Sequence, residues 1–282
     1  MGKTLFITDL DGTLLNDNAQ ITPVTAKIIN NLIDDGMIFT YATARSLVTA
    51  KKVTGEINFK YPAVHRNGVF IQNPETGEYF YKCAFEKDIS SEVIKKIQDN
   101  GLYPLVYSFI DGRERFSWIS GKENDATKYF LKSRENDIRQ RPVKNYGEFY
   151  DGDIDEIVFF SESFDELQGI FNILNLNERF SYHIQQDTYK TEKGNSIYFF
   201  EFMRFDAGKD SGVLKVKELA GADKIVCFGD NVNDIPMFNV SDEKYAVANA
   251  VDEVKNIATA VIGSNDCDGV AKWLEKNARN YF

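Results

Sequence analysis

The feature that most constrains the fold is a short apolar run near the N-terminus that ends in two carboxylates. Residues 4–8 read TLFIT, and Asp9 and Asp11 follow one residue apart, with Gly12 directly behind them. Side chains two residues apart on a strand point the same way, so these carboxylates would lie close together and repel each other. Gly12 allows the backbone to turn sharply at that point. The pattern predicts a buried strand with a charged site at its carboxyl end.

The residues after this strand alternate between amphipathic helices and apolar strands. Residues 23–36 carry apolar side chains at helical spacing and end at a glycine, which predicts a helix. Short buried strands that alternate with helices are typical of a parallel sheet. The further elements predicted here are a strand in 37–43, a helix in 46–54, a strand in 61–68 and a β-hairpin in 69–82.

The middle of the chain breaks this alternation. Its periodicity predicts the order helix, strand, strand, helix, strand, helix, strand, and Asp111-Gly112 is a favoured turn between the first two strands. The alternating pattern resumes with a strand in 196–203 and continues to the C-terminus. We therefore expect an α/β fold, a Rossmann-like doubly wound parallel sheet with an α+β domain inserted. The expected domains are a discontinuous core, residues 1–82 and 190–282, and an insert, residues 83–189.

Polar segments follow the strands that this pattern assigns to the core. Parallel α/β sheets bind ligands beyond the carboxyl ends of their strands. Asp230 and Asp234 would add to the charge of Asp9 and Asp11 there, with Asn233 in the same turn. An acidic turn alone is most often a solvated loop, but a second acidic strand end on the same edge favours a site for a hard divalent cation such as Mg²⁺. The segments are TDLDGT at 8–13, ATAR at 42–45, RFDAGKD at 204–210 and FGDNVND at 228–234.

Two further residues bring anion-binding chemistry to the same predicted edge. Thr43 offers a hydroxyl at the end of a strand, and Lys209 offers a positive charge where a helix is expected to begin. Each alone would be an ordinary strand residue or surface lysine. Together with helix N-termini and a metal ion, they predict a phosphate site.

Composition narrows the classes of partner. The formal net charge is −10 and the pI is about 4.9, which disfavours binding to nucleic acid. No apolar stretch approaches the roughly 18 residues of a membrane span, and the three cysteines match neither a disulfide framework nor a zinc site. We therefore expect a cytoplasmic protein, monomeric or weakly homo-oligomeric, with no membrane partner.

The four segments resemble, in order, the four motifs of the haloacid dehalogenase superfamily. The insert resembles the large α/β cap of its Cof-like phosphatase branch, and RNG at 66–68 and the tail from residue 246 are also similar to that branch. Ala44 stands where the second motif commonly has Gly, and Asp210 where the third commonly has Gly. We expect these two differences from the family pattern to affect the reaction rate and the range of substrates, not the class of reaction.

The resemblance implies a Mg²⁺-dependent phosphomonoesterase acting on a small phosphorylated metabolite, a sugar phosphate or a phosphorylated cofactor. It implies an aspartyl-phosphate intermediate on Asp9, with Asp11 as general acid and base. Mg²⁺ would be held by the Asp9 carboxylate, the Asp11 carbonyl and Asp230. Thr43 and Lys209 would bind phosphate, and Asn233 and Asp234 would orient Lys209 or metal-bound water.

Weaker candidates for substrate contact are Ala44, Arg45 and Asn67 in the core and Arg113 and Arg115 in the cap hairpin. Arg45 equally suits pairing with an acidic neighbour, and the hairpin arginines equally suit a solvated turn. Two other functions stay open on the sequence: a phosphomutase on the same scaffold, and a non-catalytic ligand-binding or regulatory protein.

Overall fold

The computed structural model describes residues 2–191 and 193–282, and of residues 187–189 it describes the backbone only. The strands are β1 (Thr4–Thr8), β2 (Ile38–Tyr41), β3 (Ala63–His65), β4 (Phe70–Gln72), β5 (Tyr79–Lys82), β6 (Leu105–Ile110), β7 (Arg113–Ile119), β8 (Gln140–Val143), β9 (Asp153–Ser161), β10 (Phe180–Lys190), β11 (Ser196–Arg204), β12 (Lys224–Gly229), β13 (Glu243–Val247) and β14 (Ala260–Ile262). The helices are α1 (Pro23–Asp34), α2 (Leu47–Thr54), α3 (Lys87–Asp99), α4 (Asp125–Ser133), α5 (Phe164–Leu174), α6 (Lys209–Ala220), α7 (Ile235–Asn239), α8 (Asp252–Ile257) and α9 (Gly269–Asn277).

The chain divides into two compact units, one of which is discontinuous. The first unit combines Met1–Lys82 with Ala207–Phe282, and the second is Cys83–Asp206. The chain leaves the first unit where the sequence pattern predicts it, but it returns at residue 207 and not at 190. The difference comes from β11, which is treated below.

The first unit contains the parallel sheet that the sequence predicts, with strand order β14-β13-β12-β1-β2. Every residue of β1 is buried, so apolar layers cover both faces of the sheet, as in a doubly wound α/β fold. Thr8, the last residue of β1, pairs with Phe228 on one side and Tyr41 on the other. The carboxyl ends of β1, β2 and β12 therefore meet at one edge. A parallel bridge between Ala42 and Val64 joins this sheet to the antiparallel strands β3, β4 and β5.

The second unit is an α+β domain built on one sheet of order β10-β11-β9-β6-β7-β8. Apolar residues of α3 and α5 belong to the core on one face of this sheet, and those of α4 to the core on the other. The hairpin predicted at Asp111-Gly112 is confirmed: both residues have positive φ, 50° and 76°, as a two-residue turn between twisted strands requires.

The strand predicted in 196–203 is present, but its assignment to the core is wrong. As β11, it pairs antiparallel with β9 and β10 in the second unit, for example through Phe200 opposite Phe159 and Ile184. An apolar strand fits either sheet, and only pairing partners distant in sequence decide between them. RFDAGKD therefore does not follow a strand of the parallel sheet. Lys209 lies at the start of a helix, α6, as the sequence predicts. Two further strands, β8 and β14, were not predicted.

None of the helices in the described part of the chain is both long and apolar enough to cross a membrane.

Candidate active site

The first acidic residue lies directly at the end of the central strand. The Asp9 backbone N–H donates to the carbonyl oxygen of Phe228 at 2.9 Å, which continues the pairing of β1 with β12 past Thr8. The chain then turns at Gly12, whose φ is +76° and where a Cβ atom would lie 2.5 Å from Oδ2 of Asp230. Glycine is required there by both backbone conformation and space, and the turn brings the first and fourth motifs together.

Lys209 bridges two carboxylates at the centre of this site. Its Nζ lies 2.6 Å from Oδ1 of Asp9 and 2.7 Å from Oδ1 of Asp234, and all three side chains are almost fully buried. Burial alone would lower the pKa of the Lys209 ammonium, but the Asp234 and Asp9 carboxylates raise it above its ordinary value. Lys209 is therefore a permanent cation held against Asp9.

Asp234 fixes the turn after β12 as well as Lys209. Its Oδ2 accepts hydrogen bonds from the backbone N–H groups of Asp230 and Asn231, at 2.9 and 3.1 Å. This is the reciprocal capping arrangement of a short helical turn. For Asn233, predicted to share this supporting role, the described residues provide no side-chain hydrogen bond, so its role stays a prediction.

Three carboxylates lie close enough to share one cation. Asp9, Asp230 and Asp234 each offer an oxygen, and these oxygens lie within 4.8 Å of one another. Both oxygens of Asp234 already accept hydrogen bonds, whereas Asp9 uses Oδ1 for Lys209 and Asp230 uses Oδ1 for the Thr13 hydroxyl, at 2.8 Å. Oδ2 of Asp9 and Oδ2 of Asp230 are therefore the atoms best suited to a hard divalent cation.

The electrostatics of the carboxylates agree with such a cation. Burial raises the pKa of Asp9 well above its ordinary value, and the negative charges of Asp234 and Asp230 raise it further against the opposing effect of Lys209. Burial, with the negative charge of Asp234, raises the pKa of Asp230 to about 6. A divalent cation beside these carboxylates would oppose both shifts, because it stabilises their charged forms.

The second motif borders Asp9 through the adjacent strand. The Ala42 backbone N–H donates to the carbonyl of Thr8 at 2.9 Å, which brings Thr43, almost fully buried, beside the end of β1. Ala44 is exposed. Arg45 donates from Nε and Nη2 to the two oxygens of Asp11, at 2.7 and 2.6 Å. The sequence allowed two roles for Arg45, substrate contact or pairing with an acidic neighbour, and in the structure Arg45 pairs with Asp11.

The RNG segment forms a left-handed turn against the second motif. Arg66 and Asn67 have φ values of 48° and 49°, a conformation that costs non-glycine residues free energy and is concentrated at functional sites. The Asn67 N–H donates to the carbonyl of Thr43 at 3.0 Å, and its Oδ1 is buried without a partner among the described residues. Asn67 therefore lies beside the phosphate-binding candidates, and its contact with substrate stays a prediction.

The two arginines predicted in the cap hairpin differ in their surroundings. Arg113 is exposed, and Arg115 donates from Nη1 to the carbonyl of Ile138 within the same unit. Their contact with substrate stays a prediction. Asp210, the unusual residue of the third motif, approaches the backbone of Gly208, whereas the carboxylates that hold the Lys209 ammonium are Asp9 and Asp234.

Two residues of this site were missed in the sequence. Thr13, the hydroxyl donor to Asp230, belongs to the TDLDGT motif, and that position was its only signal. Asn249 donates from Nδ2 to the carbonyl of Gly12 at 2.7 Å and accepts from the N–H of Asn265 at 3.0 Å. Nothing local in the sequence marks Asn249, because its partners lie far away along the chain.

Comparisons with known proteins agree with this geometry. A sequence model of the family described as haloacid dehalogenase-like hydrolase matches residues 6–274. The chain is 25% identical over 287 residues to 5-amino-6-(5-phospho-D-ribitylamino)uracil phosphatase YwtE of Bacillus subtilis, covering 95% of this chain and 96% of that protein.

Solved structures share the fold along nearly the whole chain. TM0651 from Thermotoga maritima superposes with a TM-score of 0.77 at 23% identity, covering 98% of this chain and 97% of the other. BT4131, described as a sugar phosphatase of haloacid dehalogenase subclass IIB, superposes with a TM-score of 0.69 at 19% identity, covering 99% of this chain and all of the other (100%). Both comparisons cover the inserted α+β domain as well as the core.

Proposed function

The chain belongs to the haloacid dehalogenase-like hydrolases and is a phosphatase, and from that premise we propose that it hydrolyses small phosphomonoesters through a covalent intermediate on Asp9. The observation that carries the proposal is the buried contact of Asp9 with Lys209, 2.6 Å long, at the carboxyl end of β1. A nucleophilic carboxylate needs a fixed orientation and a nearby cation for the phosphoryl oxygens. This contact supplies both.

Asp9 attacks phosphorus, so that a bond forms between its carboxylate oxygen and phosphorus while the ester bond to the leaving oxygen breaks. Lys209 and Thr43 bind the phosphoryl oxygens. Asp234 keeps the Lys209 ammonium directed at Asp9, since its two oxygens join Nζ to the backbone of the β12 turn.

Asp11 moves the proton in both half-reactions. It protonates the leaving alcohol oxygen, and it then takes a proton from the water that attacks the aspartyl phosphate and restores the Asp9 carboxylate. Its side chain is about half exposed, so it is accessible to a leaving group and to water. General acid–base catalysis of this kind contributes about 10²–10⁴-fold.

Mg²⁺ is the proposed cofactor, held by Asp9 and Asp230, with the Asp11 carbonyl as the third protein ligand that the family resemblance implies. When bound, it supplies positive charge to the transferring phosphoryl group. Thr13 orients the Asp230 carboxylate through the 2.8 Å hydrogen bond from its hydroxyl.

The proposed substrate is a small phosphorylated metabolite, a sugar phosphate or a phosphorylated cofactor. The relative from Bacillus subtilis acts on a phosphorylated ribitylamino-uracil, and BT4131 is described as a sugar phosphatase. In both, the phosphate is carried by a polyhydroxylated carbon chain or ring, which supports that class of substrate here.

The test is phosphate release by the purified chain across a panel of phosphorylated sugars, nucleotides and cofactors, with Mg²⁺ or with chelator. Asp9→Asn is compared with Asp34→Asn, the same change in an exposed carboxylate that pairs with Lys60. We expect metal-dependent release that Asp9→Asn abolishes and Asp34→Asn leaves unchanged. Equal release by the wild type and Asp9→Asn would refute the proposal.

A further inference from the structure

The contact between Arg45 and Asp11 is a fork-to-fork ion pair. Two N–H groups of one guanidinium, Nε and Nη2, each donate to a different oxygen of one carboxylate, at 2.7 and 2.6 Å. This geometry fixes the carboxylate plane as well as its position, which a single hydrogen bond does not do.

Arg45 is held at its backbone, so the fork starts from a fixed point. Its N–H donates to Oγ1 of Thr43 at 3.1 Å, and its carbonyl accepts from the N–H of Arg66 at 3.0 Å. The guanidinium is less exposed than the carboxylate it holds, 24% against 51% of the side chain. The arginine is therefore the anchored partner and the aspartate the one that is held.

Asp11 has little else to orient it. Within residues 2–191 and 193–282, the hydrogen bonds to its carboxylate come from Arg45. A half-exposed side chain on a turn otherwise samples several rotamers, and a misplacement of about 1 Å can cost a catalytic group roughly 10²-fold.

The two cationic side chains of the site, Lys209 and Arg45, pair with different carboxylates. Lys209 is shared by Asp9 and Asp234, while Arg45 is paired with Asp11. Bound in this way, Arg45 directs both of these donors at a carboxylate of the protein. Arg45 therefore lies at the residue that is proposed to move the proton.

We propose that Arg45 is a positioning residue that acts through Asp11, holding its carboxylate in the orientation from which it exchanges a proton with the leaving oxygen and with water. This inference rests on the proposed function, since it takes Asp11 as the proton donor and acceptor. We propose this role for Arg45 in place of the substrate contact that the sequence suggested.

A double-mutant cycle tests the dependence of Arg45 on Asp11. We would measure kcat/KM for the wild type, Arg45→Ala, Asp11→Asn and the double variant with phenyl phosphate and with p-nitrophenyl phosphate. We expect Arg45→Ala to lower kcat/KM for phenyl phosphate by about 10–100-fold, the scale of a misplaced catalytic group. In the Asp11→Asn background, the same change should alter kcat/KM by less than about twofold, because the group that Arg45 positions no longer carries a proton.

The identity of the leaving group distinguishes a positioning role from a purely structural one. A structural defect would lower kcat/KM equally for both esters. p-Nitrophenolate departs with little help from a proton donor, so Arg45→Ala should lower kcat/KM for p-nitrophenyl phosphate much less than for phenyl phosphate, as should Asp11→Asn. A residue that binds the phosphoryl group would instead affect both substrates equally.

Arg45→Lys separates the fork from the charge. An ammonium cannot hold two oxygens in one plane. We therefore expect Arg45→Lys to lower kcat/KM nearly as much as Arg45→Ala does. Arg279→Ala is the matched control, since it removes an exposed arginine whose Nη2 lies 2.5 Å from Oδ2 of Asp35, and it should leave both rates unchanged. Thermal unfolding of every variant checks that the fold is intact.

The outcomes are distinct. Equal losses for Arg45→Ala with and without Asp11, or full activity of Arg45→Lys, would overturn the positioning role while leaving the phosphatase proposal in place. A wild-type enzyme that hydrolyses neither ester nor any member of the wider panel would overturn the proposed function itself.

Discussion

Gly68 packs backbone against backbone on Gly208. A Cβ atom added to Gly68, whose φ is +102°, would lie 2.2 Å from the carbonyl oxygen of Gly208. Lys209, the buried lysine of the candidate active site, begins α6 one residue later. The left-handed turn that contains Gly68 therefore sets where this helix starts and, through it, where the ammonium lies.

Gly68→Ala should disturb both stability and activity. The positive φ lowers the stability of the variant by about 1–2 kcal/mol, and the collision with Gly208 lowers it by about 1–3 kcal/mol more. The collision also shifts α6, which moves Lys209 away from Asp9 and reduces phosphate release. Gly36→Ala is the matched control: its φ is +107°, but apart from its chain neighbours no atom in the described part of the chain lies within 4 Å of the added Cβ. Urea unfolding measures the stability of both variants, and phosphate release measures their activity. Equal effects of Gly68→Ala and Gly36→Ala would contradict the packing argument.

Lys209→Met should destabilise the metal-free protein strongly. It leaves the carboxylates of Asp9 and Asp234 buried beside each other without their cation, and breaking a buried ion pair on one side costs about 3–5 kcal/mol. Because a divalent cation can replace part of the lost charge, Mg²⁺ should restore stability but not activity. Lys60→Met, which breaks an exposed pair with Asp34, should cost less than about 1 kcal/mol. Denaturant unfolding with and without Mg²⁺ measures both, and a similar small loss for both variants would count against the buried contact.

Thr13→Val should weaken the binding of Mg²⁺. The substitution keeps the shape of the side chain but removes the hydroxyl that donates to Asp230 at 2.8 Å, and loss of such a supporting hydrogen bond typically costs about 10–100-fold in metal affinity. The rise of the thermal midpoint with Mg²⁺ concentration reports the affinity. Thr25→Val, which removes a hydroxyl 2.9 Å from Asp268, is the control. An unchanged Mg²⁺ dependence for Thr13→Val would show that this hydrogen bond does not orient a metal ligand.

His65 should make the first unit sensitive to acid. Burial lowers the pKa of its imidazole to about 3, and its Nε2 lies 2.9 Å from the Tyr41 hydroxyl. Below the unfolded pKa of about 6.5 the unfolded chain binds a proton that the folded chain does not bind, so the free energy of unfolding falls as the pH falls from about 6.5 towards 3. Between pH 8 and pH 5 this amounts to roughly 2 kcal/mol.

The comparison variant is His65→Gln, which can still accept a hydrogen bond from Tyr41 but does not titrate. It should lose less stability between pH 8 and pH 5 than the wild type does. Trp273 lies in the first unit and Trp118 in the second, so tryptophan fluorescence in a Trp118→Phe background follows the unit that contains His65. Parallel pH dependences of the two proteins would exclude this histidine as the source.

The parts of the fold that could be predicted from the sequence are those with local causes. β1, its acidic turn and the hairpin at Asp111-Gly112 each follow from side chains within a few residues of one another. Their periodicity, turn glycine and strand-end carboxylates are legible without knowledge of any partner. The same locality explains why a resemblance based on four short motifs identified the family.

The assignment of β11 failed because strand partners are not local. Its apolar residues are compatible with either sheet, and its neighbours β9 and β10 were identified as strands without any indication that β11 would pair with them. That pairing moves the return to the first unit from residue 190 to residue 207. Lys209 still reaches the site as the first residue of a helix, as expected, but the strand before it belongs to the second unit.

The sequence by itself determined which chemical groups are available: carboxylates after β1 and β12, a hydroxyl after β2 and a lysine in the third motif. Only the tertiary structure decided how they are paired. Lys209 lies between Asp9 and Asp234, Thr13 donates to Asp230, and Arg45 holds Asp11. The physical reason is that ion pairs and hydrogen bonds act over about 3 Å, whereas these partners are separated by 25 to 217 residues along the chain. Packing of the strands and of α6 supplies the proximity that residue types alone do not encode.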